Sequence, residues 1–380
     1  MQLVLNEDQS MLARTATDFV ASTEPLARLR KLRDSGDALS FSPAIWARIV
    51  ELGWTGIPFS EADGGLGLGV ADIVVVTEAL GRLLAPEPFV ASVMLGARAV
   101  ALAGTAAQKA AILSPAIEGK TRIALGHDEL RARGDIRFSH CRAERTATGY
   151  RLNGGKSPVL GGVGADVLVV VARTAGEDRD AKGLSLFVVN KDAPGVVVEP
   201  LRRVDGTNAA SLTLRNVDVN DAAVLGEAGE AFGVLETVID GATVAFAGEM
   251  LGGMTEALER TLRYLKEREQ FGVKIGTFQA LQHRAARLFI EVELTRSAVM
   301  AAARALDEHA PNAKELVSIA KARASDGFAL VANEAVQMFG GIGMTDEHDI
   351  GFFMKRAKVL EITLGDAAYH RRRFADLRGF

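Results

Sequence analysis

Two stretches in the carboxy-terminal third carry residue types that bind phosphate. Arg268 stands just ahead of Phe271-Gly272, where a helical pattern meets a glycine break. A guanidinium at an exposed helix end can grip a diphosphate through two parallel hydrogen bonds. Farther on, Gln337 leads into Gly340-Gly341. Glycine has no side chain to keep a phosphate or an adenosine away from the backbone N–H groups. Each stretch alone reads better as a helix cap or a turn between helices. Together, and in this order, they favour a phosphate-bearing cofactor.

Other familiar chemistries do not fit. There is no G-x-G-x-x-G, so the Rossmann fingerprint is absent. Gly155-Lys156-Ser157 suggests a P-loop, but the glycine that motif needs would fall at Tyr150. Neither H-E-x-x-H nor G-x-S-x-G occurs. Glu347-His348-Asp349 reads as a solvated charged turn in preference to a metal site. Cys141 adjoins His140, but strand neighbours point to opposite faces, which argues against a Cys–His dyad. No metal is expected.

The elements that must position these residues fall into three zones. The chain has 380 residues, 48% hydrophobic and 24% charged, with a net charge of −4. That balance offers no polyanion-binding surface, so nucleic acid is not expected as a partner. The single cysteine suits a reducing cytoplasm. Met1-Gln-Leu-Val-Leu-Asn-Glu-Asp8 lacks the pattern of a secretory signal, and no membrane span is expected. Val159–Ala172, the most apolar run, reads as a buried strand.

Residues 1 to about 118 show helical spacing, including a helix from Pro43 capped by Ser42 and stopped at Gly53. Pro58–Gly69 is loop, and the helical pattern resumes from Ala71 to about Glu118. From 121 to about 225, β-branched runs alternate with Gly, Pro and Asp, and Asn153-Gly154 gives a hairpin cue. The short gaps predict antiparallel pairing. Helices return over 229–268, 277–307, 312–339 and 346–376 with short breaks, the pattern of an antiparallel bundle. The expected fold is α+β: a helical domain (1–120), a central antiparallel β domain (121–226) and a carboxy-terminal four-helix bundle (227–380).

This order of zones, with three motifs, resembles the acyl-CoA dehydrogenase family. The motifs are Arg268-Glu-Gln-Phe271-Gly272 extended to Gly276-Thr-Phe-Gln279, Gln337-Met338-Phe339-Gly340-Gly341, and Lys355 through Gly365-Asp366. Gly64-Gly65-Leu66-Gly67-Leu68 is similar to the family's amino-terminal loop. The resemblance implies FAD as cofactor, an acyl-CoA thioester as substrate, and an oligomer whose subunits share each FAD. Arg268, Gln270 and Phe271 would meet the diphosphate region of a neighbour's FAD. Gln279, Gln337, Met338, Phe339, Gly340 and Gly341 would line the adenosine half, and Asp366 would also meet the cofactor. An electron-transfer partner is implied as well.

The chain departs from the family where the flavin ring and the base belong. Gly126–Asp135 and Ser157-Pro158-Val159-Leu160 lack the Thr and Trp usual in the ring-facing segments. Desaturation needs a carboxylate to remove the α-proton. The usual position for that Glu holds Leu364, and the alternative position holds Ala242. Glu249 lies two turns beyond Ala242 in an apolar run, where burial would raise its pKa toward that of a base; a structural Glu is the other reading. Asp366 and Glu361 are weaker candidates. Two roles therefore lead: a dehydrogenase with an unusual base, or a base-less subunit completing the FAD site of a catalytic paralogue, in a dimer or tetramer. A different flavin chemistry on the same fold, such as an oxidase or monooxygenase, is a third and weaker reading.

Overall fold

Local caps decide where the amino-terminal helices start. Helix α1 (Glu7–Ser22) begins behind Asn6, whose side chain accepts from Gln9 N at 2.7 Å while Gln9 Oε1 accepts from Asn6 N. Helix α2 (Pro25–Ser35) follows. Helix α3 (Pro43–Glu51) has the expected Ser42 cap, and Gly53 (φ +75°) lies just beyond its end. The amino-terminal N–H groups of α4 (Val70–Arg82) are taken by the Asp307 carboxylate, at 2.6 Å from Val70 N and 3.0 Å from Ala71 N. The pattern expected to run unbroken to Glu118 is interrupted, because Leu84 turns left-handed (φ +53°) ahead of Pro86 and Pro88. A π-helical stretch, Val90–Ala97, and the short α5 (Arg98–Ala103), α6 (Ala106–Gln108) and α7 (Ser114–Ile117) come after it.

The computed structural model describes residues 4–132 and 134–380. Met1–Leu3, which open the amino-terminal segment read above, and Arg133, inside Gly126–Asp135, lie outside the described residues. Two compact units result: one holds the chain through Lys31, Gly69–Ala85 and Thr243–Phe380; the other holds Leu32–Leu68 and Pro86–Ala242.

The second unit is built on an eight-stranded sheet. Its strands are β1 (Ile123–Gly126), β2 (Arg142–Arg145), β3 (Gly149–Leu160), β4 (Val167–Arg173), β5 (Leu184–Asn190), β6 (Val196–Pro200), β7 (Ala209–Asn220) and β8 (Val224–Leu225). They lie in the order β6-β7-β3-β2-β4-β5-β8, with β1 beside β4. Pairing is antiparallel as expected except at β4, which meets β1 and β2 in parallel. The long excursion through β2 and β3 brings the chain back in the same direction without a helical crossover.

Two local expectations fail here. Val159–Ala172 is the end of β3, a turn at Gly161 (φ +66°) and Gly164 (φ +79°), and then β4. Asn153-Gly154 is not a hairpin turn but an irregularity inside β3, where the register against β7 shifts. Gly154 is required there: a Cβ would stand 2.6 Å from Cys141 Cα. The turn falls instead between β2 and β3, closed by Thr146 N donating to Gly149 O. Leu152, Leu168, Val170, Phe187, Leu212, Leu214 and Val217 fill the core. Cys141 is buried among them while His140 points out to Asp178 at 3.0 Å, the alternation expected of neighbours.

The first unit joins α1 and α4 to a bundle made from α8 (Phe232–Glu267, from Thr243 on), α9 (Gln279–Asp307), α10 (Ala313–Phe339), α11 (Ile350–Ile362) and α12 (Ala367–Arg378). The helix expected over 346–376 is therefore two. Leu364 (φ +56°) and Gly365 (φ +97°) are both left-handed, which no helix continues through. Val244, Met250, Met254, Phe328 and Phe353 are fully buried in its core. No helix among the described residues is long and apolar enough to cross a membrane.

Candidate functional site

Beyond α8 the chain folds into a tight hairpin, β9 (Glu269–Gln270) against β10 (Val273–Lys274). Both central residues of its turn are left-handed, Phe271 at φ +57° and Gly272 at φ +75°. Glycine takes this shape freely; for phenylalanine it costs about 1 kcal/mol. The Phe271 ring is nonetheless 90% exposed, and its one ring contact among the described residues is edge-on to Phe278, with centroids 6.2 Å apart. Arg268 is exposed at the base of the hairpin, and among the described residues its guanidinium has no partner. Gln270 Nε2 donates to Glu269 O at 2.7 Å, and exposed Gln279 opens α9.

The glycine motif reaches the same end of the bundle. Tyr264, one turn before Arg268, stacks on Phe339, with ring centroids 4.4 Å apart. Phe339 directly precedes Gly340 (φ +68°). A Cβ built at Gly340 or Gly341 meets nothing within 4 Å, so packing does not require glycine at 341. Gln337 is exposed, whereas the Met338 and Phe339 side chains are packed inside. An unpartnered guanidinium, open glycine backbone and an exposed ring together suit the adenosine-diphosphate half of a dinucleotide.

The turn between α11 and α12 is held from below. Lys321 Nζ is buried and donates to Leu360 O (3.0 Å), Glu361 O (2.9 Å), Gly365 O (2.7 Å) and Ser325 Oγ (3.3 Å). Two of these are carbonyls left over at the end of α11. His370 Nε2 lies 3.0 Å from Leu364 O, which can only accept, so this nitrogen carries the proton. Gly365 is fixed by contact, since a Cβ there would stand 2.4 Å from the Tyr369 ring. Asp366 is the amino-terminal cap of α12, accepting from Tyr369 N at 2.7 Å.

Burial pushes the Lys321 amine down to about 7, against the opposing pull of Asp366 and Glu361. The unfolded chain, with lysine near 10.5, then binds more protons between the two values, so folding stability rises with pH across that window and is lowest below it. Unfolding free energy should climb by about 1 kcal/mol per pH unit from about 7 to about 10. Lys321→Met should lack that rise when both proteins are titrated by denaturant unfolding. Equal slopes would place the amine in water.

No carboxylate occupies either expected base position. Leu364 sits in the turn, and Ala242 is fully buried. Glu249 is bound instead: its Oε1 accepts from Arg356 Nη1 at 2.5 Å, with the two side chains 12% and 4% exposed. The carboxylate is thus engaged in a close ion pair and is not the unpaired acid in an apolar run that a base role would use.

Family profiles cover nearly the whole chain. The acyl-CoA dehydrogenase amino-terminal domain matches residues 6–120, the middle domain 134–217 and the carboxy-terminal domain 230–377. The chain belongs to the acyl-CoA dehydrogenase family. Isovaleryl-CoA dehydrogenase from Pongo abelii is 30% identical over 375 residues, covering 97% of this chain and 88% of the relative. A variant of the Tcur3481–Tcur3483 steroid ACAD superposes with a TM-score of 0.87 at 32% identity, over 98% of both chains. The ChsE4–ChsE5 complex from Mycobacterium tuberculosis gives 0.90 at 28% identity, over 100% of this chain and 99% of that one.

Acyl-CoA dehydrogenases are FAD-dependent oxidoreductases. The two halves of the FAD site fare differently in this chain. At the bundle end the residues fit the adenosine-diphosphate half. In the sheet unit, the segments that resemblance assigns to the ring offer little: Leu160 is buried and its side chain carries no polar group. Ser157 Oγ lies 3.0 Å from Ser211 Oγ, and Ser157 N donates to Asp128 O. Burial pushes the Asp128 carboxyl up to about 6. Lys156 is fully buried against Glu129 at 2.6 Å, anchoring the segment after β1 to β3. Neither the aromatic cover nor the hydroxyl donor usual in acyl-CoA dehydrogenases is present at 158 and 160.

Sequence reasoning missed Lys321, His370 and the Tyr264–Phe339 stack. A signal existed for Lys321, which interrupts a run of core positions, Val317, Ala320 and Ala324. Nothing local marks the stack.

Proposed function

We propose that this chain is a subunit of a heteromeric acyl-CoA dehydrogenase that α,β-desaturates an acyl-CoA thioester, in a dimer or tetramer with a catalytic paralogue. The observation carrying this reading is the contrast between the two halves of its site. The phosphate-gripping end at Arg268 and Gly340-Gly341 is open, while Leu364 stands at the base position and Glu249 is held by Arg356. Arg268 would bind the diphosphate of an FAD whose ring rests on the paralogue, and the backbone at Gly340-Gly341 would approach its adenosine. Bound there, FAD accepts the hydride leaving Cβ. The α-proton would go to a carboxylate of the paralogue, since the two positions where the base is expected hold Leu364 and Ala242 in this chain. The paired names of the Tcur3481–Tcur3483 and ChsE4–ChsE5 relatives support a mixed assembly, and the first of them suggests a steroid thioester. An electron-transfer partner would reoxidise the flavin.

Flavin content tests the reading. The chain purified alone should hold little FAD and bleach little with acyl-CoA under anaerobic conditions, whereas co-purification with its paralogue should restore both. Tight one-to-one FAD with rapid bleaching in the lone chain would instead establish a self-sufficient enzyme with an unorthodox base.

A further inference from the structure

We propose that Tyr264, Phe339 and His348 form a three-ring brace that fixes the spacing between Arg268 and Gly340-Gly341, with His348 as a positioning residue whose protonation loosens the FAD grip. The inference rests on the reading above that this end of the chain receives an FAD. Its observations are separate from that reading.

The three rings come from three segments. Tyr264 lies near the end of α8, Phe339 ends α10, and His348 stands two residues before α11. Tyr264 and Phe339 stack at 4.4 Å with an interplanar angle of 28°. His348 covers Phe339 at 4.3 Å and 45°. The motif residues flank the brace directly: Arg268 is four residues beyond Tyr264, and Gly340 follows Phe339. A change in the stack therefore moves one half of the grip relative to the other.

His348 is held in the stack by an acceptor. Ile350 N, the first N–H of α11, donates to His348 Nδ1 at 3.1 Å. That N–H has no partner within its own helix. Protonation of the imidazole turns Nδ1 into a donor facing a donor, and sets a positive charge at the positive end of the helix dipole. The brace therefore needs a neutral ring.

The surrounding charges are mixed. Burial holds His348 below the usual imidazole value; Asp349 pulls it up, and Arg260 from α8 pushes it down. Arg260 Nη1 is 3.7 Å from Asp349 Oδ2, and Arg30 from α2 bonds Asp349 Oδ1 at 2.9 Å and Asp346 at 3.3 Å. Glu347 is exposed alongside, and Arg263 on α8 is engaged by Glu256 at 3.3 Å. With the native pKa lowered from the ordinary imidazole value, the neutral ring still dominates at that value, and the brace is lost only as pH falls through the lowered pKa beneath it.

The test measures FAD affinity of the assembled protein by equilibrium dialysis. Wild type should keep its affinity from about pH 7.5 down to the ordinary imidazole value of about 6.5 and bind more weakly only as pH is taken well below it. His348→Ala should weaken FAD binding roughly three- to tenfold already at the higher pH, the scale of one lost ring pair. His348→Phe keeps a ring without a titration, so it should bind nearly as wild type and lose the pH dependence. An unchanged affinity in His348→Ala, or a wild-type pH profile in His348→Phe, overturns the proposal. A readout on the chain without FAD separates the two inferences. The His348 imidazole proton resonances should be shifted upfield by the stacked ring and relax toward ordinary values in Tyr264→Leu. If that shift is seen but FAD affinity ignores both His348 and Arg268, the brace exists and the FAD assignment fails. If the shift is absent, the brace itself is wrong.

Discussion

Arg268→Ala should strip FAD from the assembled protein, lowering occupancy roughly tenfold or more. Charge-assisted hydrogen bonds to phosphate contribute about 1.5–3 kcal/mol each, and 1.4 kcal/mol is a factor of ten. The bundle should be untouched, because this side chain is exposed and makes no contact with the rest of the chain that the change would remove. Flavin absorbance and far-ultraviolet dichroism on one sample decide it. Full flavin with normal helicity would reduce Arg268 to a helix end, and lost helicity would make it structural.

The second large effect concerns Glu249. Glu249→Ala should destabilise the bundle by about 3–5 kcal/mol, since it leaves the Arg356 guanidinium charged, buried and short of its carboxylate. Replacing both partners, Glu249→Leu with Arg356→Met, should recover most of that loss, because two apolar side chains carry no desolvation cost. Denaturant unfolding of the single and double variants gives the comparison. A single-variant cost below about 1 kcal/mol would mean that the pair is solvated and Glu249 is free for other work. The base reading differs in kind. It expects Glu249→Gln to cut any measurable desaturation by at least ~100-fold while stability barely moves.

What the sequence reveals about this site follows from how local each cause is. The proposed grip at Arg268 and Gly340-Gly341 is legible because holding a diphosphate would need particular residue types at helix ends; Gly340 also has a backbone reason of its own, φ +68°, whereas no packing asks for glycine at 341. The fate of Glu249 is not legible, because its partner lies 107 residues away. Lys321 is hidden for the same reason: three of its acceptors are backbone carbonyls about 40 residues on, and backbone has no signature in sequence. In the sheet, alternation identifies strands but not their direction, so the parallel β1–β4 pair is invisible. Asn153-Gly154 shows a local cue overruled, because the approach of Cys141 asks for the same glycine that a hairpin would. The break carries a glycine at 365 that marks a turn, but nothing local marks Leu364 as left-handed too; the clamp from Lys321 and His370 holds leucine in a shape that its own preference resists.

The hairpin end has a consequence for the life of the polypeptide before it meets a partner. Phe271 is 90% exposed and Met344 76%, with Val273 and Ile342 about half as open. Apolar side chains gathered beside a cofactor grip are stable company only when covered. In the proposed mixed assembly, a molecule synthesised in excess of its paralogue would carry this adhesive end into the crowded cell, where chaperones and proteases sort unassembled chains. Its steady-state abundance would then be set by the paralogue's supply and not by its own rate of translation. Matched synthesis of the two chains becomes a physical requirement written into one strained, water-facing phenylalanine.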